Sequence, residues 1–423
     1  MAPVSSLFTS PGTYVVDPTL AHRRGQAVVT VLDAAGKPVA DAPVTVEQTN
    51  HQFLFGNIGF ELIDWINGSS DGAQDEQWGS GSAEYYQQFA DRWLEVFNSA
   101  TMPFYWGSFE PEQGKPHTAP LMKACQWFAD RGVSLKGHPL VWHTAQPSWM
   151  VGKPVKETAA LLRARIRREV GDFAGLVDLW DAINETVIMP VFTAEENATT
   201  PLARDRGRAA MVRLAMEEAR TANPQVKLIL NDFDMSTAYE AVIELVLEAG
   251  IRIDYLGLQS HQHQGYWGKE KLLRILDRFS RYNIPIHFTE TTMLSGDVMP
   301  DHIVDLNDWQ VDEWPSTEEG EARQADELEE WYRTLVAHPA VHAITYWGLG
   351  DRGMWLNAPG GLLRADASPK PSFERLKGLI RNEWWLSATQ RRTNAAGQVT
   401  VEGFKGTYAV TAPDGAVTDV VVP

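Results

Sequence analysis

Eight short apolar runs, each followed by an amphipathic helical segment, recur over roughly 330 residues and predict a (β/α)8 barrel. Two further observations support it: the chain of 423 residues is long enough for a large core, and alternating strand patterns flank the repeat at both ends. The barrel strands are placed near Phe53–Asn57, Phe97–Thr101, Ser134–His138, Asp178–Asn184, Lys227–Asn231, Tyr255–Gln259, Pro285–Glu290 and Ala343–Trp347. Helices fall between them, over Pro120–Arg131, Thr158–Gly171, Arg204–Thr221, Ala238–Glu248, Lys269–Tyr282, Glu318–Ala337 and Pro371–Arg381. A doubly wound open sheet is the competing topology, but no G-x-G-x-x-G follows the first strand to hold a dinucleotide.

Before the barrel, Gly25–Asp33 and Ala42–Gln48 place apolar residues at every second position around the turn Ala35-Gly36-Lys37-Pro38, the pattern of a hairpin. After it, Gln398–Val401, Gly406–Thr411 and Val417–Val422 alternate in the same way. Neither piece is long enough to fold alone, so residues 1–50 and 383–423 are expected to meet in one small β-sandwich beside a barrel of residues 51–382.

Composition narrows the partners. Lys+Arg 37 against Asp+Glu 55 gives a net charge of −18, a field that repels nucleic acid and anionic membranes. The single cysteine, Cys125, forbids an intrachain disulfide and a cysteine-based zinc cluster. In its helix, with no base beside it, Cys125 reads as a buried small residue. No stretch approaches the ~18 apolar residues of a membrane helix, and the opening MAPVSSLFTSPGTYVV has no leader pattern. The expectation is an intracellular protein or a secreted one whose signal has been removed. The 16 tryptophans stand out, because flat aromatic faces suit sugar rings, although most will be core.

Barrel chemistry sits where strands end. The polar residues there are His138, Asn184-Glu185, Asn231-Asp232, Gln259 with His261, Glu290, and Trp347. A carboxylate next to an apolar strand is costly unless paired or protonated. One such residue reads as a salt-bridged strand end, but two across a barrel mouth are the apparatus of a retaining glycosidase, whose carboxyl groups stand ~5–5.5 Å apart. Glu290, within reach of a histidine such as His261, is expected to stay ionised as nucleophile. Glu185, in the run Leu179-Trp180-Asp181-Ala182-Ile183-Asn184, is expected to rise towards a pKa of about 6–7 as acid/base. Asn184 is placed to bond the sugar hydroxyl beside the anomeric carbon. A metal reading of His138, His143, His261 and His263 lacks the H-x-x-x-H spacing of zinc hydrolases, and no cofactor is expected.

These residues lie in Gly137-His138-Pro139-Leu140-Val141-Trp142-His143, Trp180-Asp181-Ala182-Ile183-Asn184-Glu185, Asn231-Asp232-Phe233, Gln259-Ser260-His261, Thr289-Glu290 and Thr345-Tyr346-Trp347-Gly348. In order and spacing the six blocks resemble family 10 glycoside hydrolases, largely endo-β-1,4-xylanases on a (β/α)8 barrel, over roughly residues 50 to 380. The resemblance implies Glu185 as acid/base and Glu290 as nucleophile. It also implies that His138, Trp142, Asn184, Gln259, His261, Trp347 and Trp355 line the substrate site, that xylan or a xylo-oligosaccharide is the carbohydrate partner, and that the flanking sandwich decorates the barrel.

The chain also departs from the family. Where the family carries a Glu-Asn pair and a Lys gripping the next sugar, this chain reads Asn98-Ser99-Ala100-Thr101-Met102-Pro103-Phe104-Tyr105-Trp106, with Tyr105 at the lysine's place. Thr144-Ala145 replaces the glutamine after Trp142-His143, leaving Gln146 next door, and Thr292 replaces a carboxylate two residues beyond the nucleophile. Each lost polar contact costs ~1–3 kcal/mol for a substrate that needs it. The alternatives are the same mechanism on a branched oligosaccharide or on a sugar with an apolar aglycone, and a carbohydrate-binding barrel without turnover. Two long loops, Asp64–Ser82 with Trp65 and Trp78, and Ser295–Ser316 with Trp309 and Trp314, either reach substrate or plug onto the barrel.

Overall fold

The computed structural model describes residues 17–68 and 81–423. Its strands, in chain order, are β1 (Arg24–Thr30), β2 (Pro43–His51), β3 (Leu54–Ile58), β4 (Ser99–Pro103), β5 (Ser134–His138), β6 (Leu179–Asn184) and β7 (Lys227–Asp232), followed by β8 (Tyr255–Gln262), β9 (Ile286–Met293), β10 (Val341–Tyr346), β11 (Thr389–Arg392), β12 (Gln398–Phe404), β13 (Gly406–Thr411) and β14 (Val417–Val422). Strands β3 to β10 pair in parallel and close into a barrel in the order β10-β3-β4-β5-β6-β7-β8-β9. The apolar runs are strands because both of their faces are covered, inward by the barrel interior and outward by helices.

Helices lie between the strands, and Glu318–Ala337 runs over the residues that the periodicity marks. Its cap is local chemistry: Thr317 accepts from Gly320 N at 3.0 Å, and three glutamates occupy the first turn. The helix expected over Arg204–Thr221 is instead two, Thr199–Arg206 and Arg208–Ala222, broken at Gly207 with φ 82°. A further helix, Ala83–Val96, packs Tyr86, Phe89, Ala90 and Trp93 inward between β3 and β4.

The terminal strands do form antiparallel sheets, but not the expected N-terminal hairpin. The chain turns back at Asp33–Lys37, yet β1 pairs with β12, while β2 pairs with β11 and β13. Pairing with the C-terminal strands lets both arms bury their alternate valines in one cluster with Val399, Val401, Tyr408 and Val410. These sheets sit at the end where the barrel strands begin. Arg23 donates to the carbonyls of Val336, His338 and Val341 (3.0, 2.7 and 2.5 Å), and Asn98 bridges His51, Phe53 and Phe55. The opposite end is left open for chemistry.

Candidate active site

Glu185 and Glu290 lie at that open end, and three amide side chains link them. Asn231, on β7 between their strands, donates from Nδ2 to Glu290 Oε1 at 2.9 Å and to Asn184 Oδ1 at 2.7 Å. Asn184 donates on to Glu185 Oε1 at 3.1 Å, and Gln259 donates to Asn184 Oδ1 at 3.0 Å and to Glu185 Oε1 at 3.4 Å. A Cβ on Gly257 would overlap Asn231 Oδ1, so this glycine on β8 leaves the amide its place. Both carboxyl groups are therefore held in one hydrogen-bonded network, in fixed orientation.

Their environments push them apart. Burial raises the Glu185 carboxyl to about 8, aided by the Glu290 and Asp232 charges and opposed by the Trp142 hydrogen bond. Burial acts on Glu290 too, but the hydrogen bond from His261 and the charges of His138 and Lys136 outweigh it and hold it below its ordinary value. His261 Nε2 lies 3.1 Å from Glu290 Oε2, and its Nδ1 lies 3.0 Å from the Thr292 hydroxyl. Lys136 and His138 share Asp181 Oδ2, each at 2.7 Å, a buried pair on one carboxylate that spacing along the chain does not reveal.

The run around Trp180 is not what desolvates Glu185. Trp180 points to the helix side, 4.5 Å from the Phe104 ring, and its indole donates to Val177 O. Trp142 and His143, from the loop after β5, cover the carboxyl instead. Trp142 Nε1 donates to Glu185 Oε2 at 2.8 Å, and His143 Nε2 lies 3.6 Å from the same oxygen. Burial lowers His143 to about 4, which leaves a neutral ring against the acid. Asp232, buried and raised to about 7 by desolvation, accepts from Val187 N at 3.0 Å and pins the turn after Glu185.

That turn is conformationally unusual. Glu185 itself has φ 58°, and left-handed non-glycine residues recur at Ala145, beyond Trp142, and at Leu356 and Asn357, beyond Trp355. Each costs ~1–3 kcal/mol, and such positions gather at working sites.

The remaining sequence-predicted residues form a wall. Trp347 lies edge-on to His138 at 5.2 Å and to His261 at 6.1 Å, and Trp355 lies edge-on to His261 at 5.0 Å. Tyr105 sits 5.5 Å from His138 and 5.7 Å from Trp142. Gln146 turns away, holding Trp142 O, Ala198 N and Thr199, so it does not take the missing glutamine's place.

Of the loop 64–82, residues 69–80, Trp78 among them, lie outside the described residues. Trp65 packs edge-on to Trp127, with ring centroids 5.9 Å apart. Trp314 donates to Asp297 O and lies between Trp309, edge-on at 6.2 Å, and His263 at 6.3 Å, so these tryptophans brace their loop on the barrel. Among the described residues no group of three His, Cys, Asp or Glu side chains could hold a metal ion. Cys125 is buried, its thiol pushed up to about 12.

A closed parallel barrel with two oppositely biased carboxyl groups at its C-terminal mouth defines the glycoside hydrolase class. The chain belongs to Glycosyl hydrolase family 10, whose family model matches residues 75–378. Its curated relatives include endo-1,4-beta-xylanase B of Thermotoga neapolitana, 24% identical over 323 residues that cover 72% of this chain and 86% of that protein. Another is the anti-sigma-I factor RsgI6 of Acetivibrio thermocellus, 25% identical over 399 residues, of which this chain spans 45% of the length while matching over 92% of its own. Among solved structures, xylanase 10B from Thermotoga petrophila in complex with xylobiose superposes with a TM-score of 0.62 at 20% identity, covering 78% of this chain and 95% of that one.

Proposed function

We propose that this chain is a retaining glycoside hydrolase acting on β-linked xylosyl sugars, in xylan or in oligosaccharides derived from it. The observation that carries the reading is the opposite bias of two buried carboxyl groups within one hydrogen-bonded network, Glu185 to about 8 and Glu290 below its ordinary range. Such a split assigns acid and nucleophile. Glu290 attacks the anomeric carbon as the glycosidic C–O bond breaks, and the Glu185 proton goes to the leaving oxygen. Glu185, now a carboxylate, takes a proton from the water that attacks the same carbon and frees Glu290. Asn184, Gln259, His138 and the tryptophans Trp142, Trp347 and Trp355 border the attacked ring. The xylosyl choice rests on the xylanases among the family relatives.

The test is the anomer formed first. Proton NMR of early hydrolysis of xylo-oligosaccharides and an aryl β-xyloside should show the β-anomer before mutarotation. The α-anomer overturns the double displacement. Sugar binding without turnover across xylosyl, glucosyl and aryl substrates would make the protein a carbohydrate-binding barrel.

A further inference from the structure

One side of the barrel mouth is closed by aromatic rings. Phe60, after β3, meets Tyr105, after β4, at 5.8 Å and Trp347, after β10, at 5.7 Å, both edge-to-face. The arc closes on His138, 5.5 Å from Tyr105 and 5.2 Å from Trp347. Ile58 lies beneath, and Phe60 and Trp347 are only 7% and 8% exposed, so the rings pack on one another and leave little surface for a ligand to pass. The Tyr105 hydroxyl is the polar tip of this arc and makes no protein hydrogen bond among the described residues.

The acid sets the direction of the substrate. Glu185 follows β6, which lies directly across the barrel from β10, three strands from β3 and two from β4. A group that protonates the leaving oxygen stands between the attacked ring and the leaving group. The leaving group therefore extends towards β6 and β7, where Val191 and Phe233 are 63% and 48% exposed. The attacked ring backs onto the aromatic arc.

Resting on the glycosidase reading above, we propose that Tyr105 with Phe60 and Trp347 ends the site after a single sugar ring, so that the enzyme takes the terminal residue of a β-glycoside rather than the interior of a chain. The Tyr105 hydroxyl then donates to that ring, and no subsite is built for the next one.

The experiment compares 4-nitrophenyl β-xyloside with 4-nitrophenyl β-xylobioside, and the glucosyl pair alongside. The expected ratio of kcat/KM, two rings over one, is within about threefold of unity, because a second ring gains no contact. A two-ring substrate better by about 100-fold or more, or cleaved alone, overturns the proposal and leaves the glycosidase reading standing. Cleavage of none of the four overturns the glycosidase reading itself. Tyr105→Ala should raise the ratio by about tenfold by opening the arc, whereas Tyr105→Phe should lower both values and leave the ratio unchanged. An unchanged ratio in a folded Tyr105→Ala protein, judged by its melting curve, removes Tyr105 as the stop.

Discussion

Trp142 donates its indole N–H to Glu185 across 2.8 Å, from a loop 43 residues earlier in the chain. The same ring that excludes water from the carboxyl supplies one of its hydrogen bonds, so the two effects on its acidity oppose each other: burial raises it and the bond lowers it. Glu185 at about 8 is their balance.

Trp142→Phe separates them. The ring and its desolvation stay and the bond goes, so the alkaline limb of kcat/KM against pH should move upward. A downward shift would show that the indole acts mainly by some route other than this bond.

The pH profile of the parent enzyme has a worked-out sign. The acid must be protonated, so activity should be lost as pH rises through about 8. The nucleophile must be ionised, and because Glu290 is held below its ordinary value the acid limb should lie below that of a free glutamate, about 4.3. A broad plateau between those limbs, measured as kcat/KM on an aryl glycoside, is the expected outcome, and a narrow optimum near pH 5 contradicts the assignment.

Removing each carboxyl should have different consequences. Glu290→Ala should abolish turnover on every substrate. Glu185→Ala should lose about 10²–10⁴-fold on poor leaving groups and far less in the first step with an activated phenolate, which needs no proton. Steady-state and burst kinetics on both substrate types read the difference, and equal losses from the two folded variants would reject these roles.

Arg165 should govern stability. It is buried on the helix Val155–Asp172, pairs with Glu169 at 3.0 Å, and donates to the carbonyls of Phe104, Pro139 and Leu140, just behind Tyr105 and His138. Arg165→Met leaves Glu169 with a weaker counter-charge and three carbonyls short of a donor, so a loss of about 3–5 kcal/mol is expected. Thermal and denaturant unfolding measure it, and a change below about 1 kcal/mol would mean that water replaces the guanidinium.

The barrel was legible because its signal is local. A strand covered on both faces must be apolar throughout, and a helix on its surface must repeat every 3.6 residues, whatever its partners. The placing of Glu185, Glu290, His138 and Gln259 towards the C-terminal ends of their strands follows from that count alone, and the structure brings them to one end of the barrel. Partnership is another matter. Alternation puts the valines of β1 and β2 on one face without saying that β12 and β13, hundreds of residues later, would cover them. The run Leu179–Asn184 was expected to raise Glu185, but its Trp180 packs on Phe104, and Trp142 from another loop covers the carboxyl. Gln146 was near the cavity in number and turned from it in space. Residue types and spacing determined where chemistry could occur in this protein. Which rings cover Glu185 and where aromatic rings close the mouth were decided only by tertiary structure, because desolvation and packing depend on distances that the chain order does not contain.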